Sequence, residues 1–287
     1  MLSSLAGVLF DGFAYGMLLF LLSVGLSVTL GMMNFVNLAH CSFAMVGGYA
    51  TVSLMGKLGW PFLATLPAAF VAGAAVSIVL ERTLYRKLYR ASDLDQCLLT
   101  IGIVFISVAA FAWFYSTEQQ SVRVPDYLQG SVQVAGQSFA AYRLFLIAIG
   151  LLILGALVFL VERTRFGAQV RAAVDNQRMA RGLGIDVDRA FMITFALGGG
   201  LAGLGGALAI QVVGLDPTFA LAYLVYVLIV VAVGGLGSIG GSFAAAAVLG
   251  ISDMAGKYYF PCLGAFLIYL VMVALLMWRP AGLFGKR

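Results

Sequence analysis

Asn34, Asn37 and His40 recur at every third residue inside the apolar sequence Gly31–Phe43, and Ser42 follows close behind. A spacing of three predicts that the first three side chains share roughly one helical face. In lipid such groups are costly unless they pair within the protein or meet water, so this face is expected to look inward as a substrate-facing or gate element. The chemistry on offer is hydrogen bonding. His40 is the chain's one histidine, which excludes multi-histidine metal sites and a relay of histidines. A lone histidine is usually structural, here a hydrogen bond that ties a broken helix to its neighbour, and direct participation in the path is the alternative.

Other reactive residue types form no constellation. Cys41, Cys97 and Cys262 are far apart, match no metal spacing and read as small packing residues. Asp11, Asp216 and Asp253 fall near the expected ends of apolar runs, and Glu81 and Glu162 open connections, so a proton- or sodium-coupled mechanism lacks its midplane carboxylates. There is no G-x-x-x-x-G-K-[ST] loop, no Ser-His-Asp arrangement around the single histidine and no paired buried carboxylate. Neither catalytic nor metal-binding residues are expected in this chain.

The second notable stretch is 163–189, RTRFGAQVRAAVDNQRMARGLGIDVDR, which holds Arg163, Arg165, Arg171, Arg178, Arg181 and Arg189 of the 17 Lys and Arg residues. From Phe166 to Leu183 it reads as one short amphipathic helix. Val170, Ala173, Val174 and Leu183 are its apolar positions, Arg171 and Asp175 stand at i,i+4, and Gly182 and Gly184 stop it. Asp175, Asn176 and Gln177 dilute the charge that lipid headgroups would favour, so a protein partner is the better match for its surface.

The elements that must position these residues are membrane spans. The chain has 62% hydrophobic and 10% charged residues and a mean hydropathy of +1.03, against about 25% charged in soluble domains. Runs of about 20 apolar residues predict spans at 12–31, 36–56, 60–80, 97–116, 141–161, 190–213, 219–236, 241–256 and 261–278. Eight to ten spans are compatible with the pattern, because the second run and the pair flanking Gly234–Gly241 carry Gly and Asn clusters typical of broken or re-entrant helices. The formal charge of +5 and the pI near 9.2 reflect loop residues that flank apolar runs, as in positive-inside topology, and do not point to nucleic acid. Arg82, Arg86, Lys87, Arg90, the six arginines of 163–189, Arg279, Lys286 and Arg287 fall on one side of the nine-span pattern. Lys57, Arg123, Arg143 and Lys257 fall on the other. The carboxyl terminus is therefore expected in the cytoplasm and the amino terminus outside. No Lys or Arg precedes Asp11, so the first apolar run reads as a retained span.

Two glycine patterns carry different expectations. Gly12/Gly16 and Gly199/Gly203 fit close helix packing of the small-xxx-small kind, whereas GGLGSIGG at 234–241 reads as a turn between spans, with a translocation-path role for its exposed backbone groups as the further reading. The connection 117–140 is the longest on the outer side and is expected to hold a short hairpin or helix, as a covering loop or a docking ledge.

The sequences NFVNLAHCSFAMVGGY, RFGAQVRAAVDNQRMARGLGID and GGLGSIGGSFAAAAVLGI, in this order, with the closing WRPAGLFGKR, resemble the branched-chain amino acid ABC transporter permeases along the whole chain. The likeness is to the first of the two permeases such systems usually have. It implies one transmembrane permease domain over 1–287, all-α, that works with a second homologous permease, two ATP-binding subunits and a periplasmic solute-binding protein in a bacterial inner membrane. ATP and Mg2+ are expected on the ATPase subunits, and no cofactor on this chain. Residues 171–184 match the coupling helix, and Arg171, Asp175, Asn176, Met179, Gly182 and Gly184 are its candidate contacts. Cys41 stands where the family's motif usually has Gly, and no acidic residue follows. That departure keeps urea, amides and aromatic acids open as substrates beside hydrophobic amino acids. A self-contained carrier or channel is the reading from another class.

Overall fold

The computed structural model describes residues 2–33, 35–89, 91–134, 137–261 and 264–285. Of the residues singled out above, Asn34, Arg90, Cys262, Lys286 and Arg287 lie outside the described residues. Nine long helices are found among the described residues. The first five are α1 (Leu2–Met33), α2 (His40–Leu58), α3 (Phe62–Leu80), α4 (Asp93–Tyr115) and α5 (Ala141–Val158). After two short helices, α6 (Arg165–Asp175) and α7 (Gln177–Gly182), come α8 (Val187–Val213), α9 (Phe219–Gly234), α10 (Ile239–Tyr259) and α11 (Gly264–Trp278). Each expected span has its helix. Six of them are long and apolar enough to cross a membrane, which makes this a multi-pass membrane protein. α2 has the length without the apolarity, and α9 and α11 are apolar but shorter. Two of these departures fall on irregular sequence expected to break a span.

Local chemistry sets the helix ends. Ser92 caps α4 by accepting from Asp95 N at 3.3 Å, and Asp93 and Asp95 place negative charge in its first turn. α3 and α5 each continue through a turn of wider π-helix, Glu81–Tyr85 and Phe159–Arg163, into the basic connections. The connection after α4 holds both expected elements, a one-turn helix at Asp126–Gln129 and an antiparallel hairpin of β1 (Ser131–Val134) and β2 (Gln137–Ala140), with Ser131 opposite Ala140. Gln120 exchanges backbone hydrogen bonds of 2.7 and 3.2 Å with Leu215 and so pins this connection to the one between α8 and α9.

α1 and α8 form the centre of the bundle: 89% and 78% of their apolar stretches are buried, against 11% for α4. Gly12 and Gly16 let α1 approach the backbone of α10 at Ala246–Ile251, and Gly199 and Gly203 bring α8 against Ala69, Gly73 and Ser77 of α3. The small-xxx-small expectation therefore holds at both places.

Candidate functional site

The polar stretch near residue 37 is a break between α1 and α2, not a helical face. Residues 35–39 are non-helical, and only His40 and Ser42 stand in α2. Asn37 Oδ1 accepts from Ala39 N at 3.1 Å, the local bond by which Asn competes with helix formation. Here it corrects the single-face expectation. Asn37 Oδ1 also faces the Tyr85 hydroxyl at 3.4 Å, while the buried Nδ2 has no partner among the described residues. Phe35 fills the space below, with ring centres 5.2 Å from Tyr85 and 5.6 Å from Phe195.

Freed peptide groups that are buried need partners. Val36 N donates to Gln96 Oε1 at 3.0 Å and Leu38 N to Thr100 Oγ1 at 3.2 Å, both on α4. Gln96 also donates through Nε2 to Leu88 O at 3.1 Å, which joins the break to the connection after α3. Gln96 and Thr100 were not singled out from sequence; their one signal is polarity inside an apolar run. The His40 ring is buried with Nε2 3.1 Å from Leu22 O of α1. Ser42 and Ser107 share a 2.8 Å hydroxyl contact between α2 and α4.

The glycine run at 234–241 is the expected turn, and it closes the same end of the bundle. Gly237 has φ +79°, and a Cβ on Gly31 would lie 2.0 Å from Gly237 Cα. Only glycine fits both sides of that contact. Ser238 Oγ accepts from Gly241 N at 3.0 Å and caps α10. Leu283 N donates to Val233 O at 2.7 Å, which draws the carboxyl-terminal segment onto the turn.

The basic stretch forms two helices where one was expected. The backbone turns out of helix at Asn176 (φ −156°, ψ 96°), whose Oδ1 accepts from Met179 N at 3.0 Å and caps α7. Arg171 donates to Val161 O at the end of α5 rather than pairing with Asp175; helix-end carbonyls lack partners of their own and attract arginine. Val170 and Ala173 are buried as expected, against Val28 of α1 and Phe191 of α8 in two adjoining clusters. Leu183 is not: it is 78% exposed and Met179 64%. Gly182 closes α7. Gly184, at φ +82°, ends it in a paired turn in which Ile185 N donates to Ala180 O at 3.0 Å. α6 and α7 thus make an anchored ledge with a buried underside and two apolar side chains outward among arginines. Arg181 pairs with Asp188 at 3.0 Å, and Arg86 pairs with the same carboxylate, so the connections after α3 and α5 share one end. Beneath them the Tyr89 hydroxyl donates to Glu81 Oε1 at 2.8 Å; burial, reinforced by that carboxylate, holds the phenol far above its usual range and keeps it a donor.

One acidic residue departs from its sequence reading. Asp253 is fully buried inside α10, paired with Lys257 one turn on, instead of lying at a solvated end. The i,i+4 spacing hides this, because the same pair on a helix end is ordinarily exposed.

A bundle of apolar helices around a broken, polar-lined helix pair, with an anchored basic ledge at one end, defines a membrane transport permease. The chain belongs to the family described as the permease component of branched-chain amino acid transport systems, whose model matches residues 8–276. It is 29% identical to a probable branched-chain amino acid transport permease protein LivH of Methanocaldococcus jannaschii, over 94% of this chain and 90% of that one. Identity is 25% with the high-affinity branched-chain amino acid transport permease BraD of Pseudomonas aeruginosa (97% and 95% covered) and 24% with LivH of Escherichia coli K12 (97% and 94%). The fold is similar to PsaBC from Streptococcus pneumoniae, solved in complex with Fab, at a TM-score of 0.52 and 14% identity over 96% of this chain and 94% of that one.

Proposed function

We propose that this chain is a membrane-spanning subunit of an ATP-driven, binding-protein-dependent importer of branched-chain or other hydrophobic amino acids. Residues 1–287 act as one transmembrane domain in a bacterial inner membrane, with the 163–189 end in the cytoplasm and the amino terminus in the periplasm, as the positive-inside distribution favours. A second homologous permease, two ATP-binding subunits and a periplasmic solute-binding protein complete the assembly. ATP and Mg2+ belong to the ATP-binding subunits.

The observation that carries this reading is the α6–α7 ledge. Its buried residues seat it on α1 and α8, Arg171 fastens it to the end of α5, and Asp188 ties α7 to the extension of α3. Met179 and Leu183 are left exposed as a docking face, with Asp175, Asn176 and Gly182 beside them. A partner that moves this ledge displaces several spans together. The inner gate is the α1–α2 break, where His40 holds α2 against α1 and Ser42 holds it against α4, while Asn37 Oδ1 accepts from Ala39 N and the Tyr85 hydroxyl and its Nδ2 donor waits for an acceptor. Purification of the tagged chain in mild detergent, followed by mass spectrometry, tests the assembly. A second permease and P-loop ATPases at stoichiometric yield are expected; a reproducibly solitary chain would overturn the reading.

A further inference from the structure

Asp253 is fully buried, and its two oxygens are not equally served. Oδ2 lies 2.5 Å from Lys257 Nζ, while Oδ1 has no hydrogen-bond partner among the described residues. A buried carboxylate with an empty lone pair is expensive, and a neighbouring lysine offsets that cost only when the remaining lone pairs are also satisfied. Lys257 occupies the last turn of α10, half-exposed, with its ammonium 5.4 Å from the centre of the Tyr15 ring of α1. Tyr15 of α1 and Tyr226 of α9 pack on one apolar cluster with Ala245, Ala246 and Leu249 of α10, and the Tyr223 ring lies 5.8 Å from that of Tyr226. Three helices thus converge on one acceptor without a donor and one cation with donors to spare, rimmed by aromatic surface, at the end of the bundle away from the α6–α7 ledge.

We propose that Asp253 and Lys257 form an acceptance site for a free amino acid at the outer mouth of the permease. Asp253 Oδ1 takes the ammonium group, Lys257 Nζ takes the carboxylate, and Tyr15, Tyr223 and Tyr226 flank the apolar side chain. Asp253 Oδ2 and Lys257 Nζ stay 2.5 Å apart, and the solute extends that pair at Oδ1 and at the remaining Nζ donors. The inference rests on the importer reading and names the chemistry by which such an importer receives its solute. A phosphatidylethanolamine headgroup carries the same pair of charges, so the test separates the two sources.

The complete transporter is reconstituted in vesicles of phosphatidylcholine and phosphatidylglycerol, and ATP-driven uptake of L-leucine delivered by the binding protein is measured. Asp253→Asn and Lys257→Met each should lower uptake about ten-fold or more, with complex recovery and basal ATP hydrolysis unchanged. The exchange variant Asp253→Lys with Lys257→Asp keeps the ion pair; it should restore assembly if a single variant lowers it, yet still fail to transport. Wild-type uptake in the exchange variant would reduce the pair to a structural one and overturn the site. A deficit seen only after phosphatidylethanolamine is added would assign the site to a lipid headgroup and equally overturn it. Absence of ATP-driven uptake by the wild-type complex would remove the importer reading along with the site, whereas normal uptake by both single variants would remove the site alone.

Discussion

Arg181 Nη2 lies 3.0 Å from Asp188 Oδ1, and the other oxygen of that carboxylate meets Arg86. One acidic side chain thereby joins the short helix of the ledge to the connection after α3 and to the start of α8. All three groups are about half exposed, so the pairing adds little to stability, about 0–1 kcal/mol for pairs of this kind. On the proposed importer reading, what it contributes is a link between the ledge and the connection after α3.

Asp188→Ala should therefore leave thermal unfolding within about 1 kcal/mol of wild type while ATP-driven uptake falls several-fold. Uptake and unfolding temperature measured on the same preparation separate the two effects. An equal loss of both would mean that the pairing holds the fold and not the coupling.

Replacing Met179 with Asp, or Asp175 with Arg, changes the docking face without touching the buried underside of the ledge. Both variants should insert and fold normally but lose association with the ATP-binding subunits and, with it, uptake. Retained uptake in the double variant would exclude α7 as the coupling element.

Gly31→Val should abolish recovery of folded protein, because its first side-chain carbon would fall 2.0 Å from Gly237 Cα. Gly240→Ala, three residues along the same turn region, meets nothing within 4 Å and should be neutral. Size-exclusion profiles of fluorescently tagged variants distinguish the two.

Gln96→Leu removes the partners of Val36 N and Leu88 O at one stroke. Leaving such groups unpaired costs about 1–3 kcal/mol each, so a clear fall in unfolding temperature is expected. Thr100→Val, which strips only Leu38 N of its partner, should cost less. If both behave as wild type, the break between α1 and α2 is held by something other than α4.

How far the sequence discloses this structure depends on the range of each interaction. The nine helices follow from apolar runs, and the turn at 234–241 follows from clustered glycines, since both are local. The break at Asn176 was harder to see, because Arg171 and Asp175 at i,i+4 and the apolar positions around them favour one continuous helix. Only the capping bond to Met179 N decides otherwise. Asn37 and His40 misled in a similar way, as a three-residue spacing also occurs where an Asn folds back on its own backbone. Gln96 was out of reach: it bonds a peptide group 60 residues away. Asp253 was hidden by a lysine one turn on that makes a buried charge resemble a solvated helix end.

The most direct measurement is uptake of labelled L-leucine into vesicles that hold this chain with its co-purified partners and the binding protein, with ATP and no ion gradient, then with a gradient and no ATP. An ATP-driven permease accumulates leucine only in the first condition and stops when the binding protein is withheld. Accumulation in the second condition alone would contradict that mechanism and make the chain a self-contained carrier.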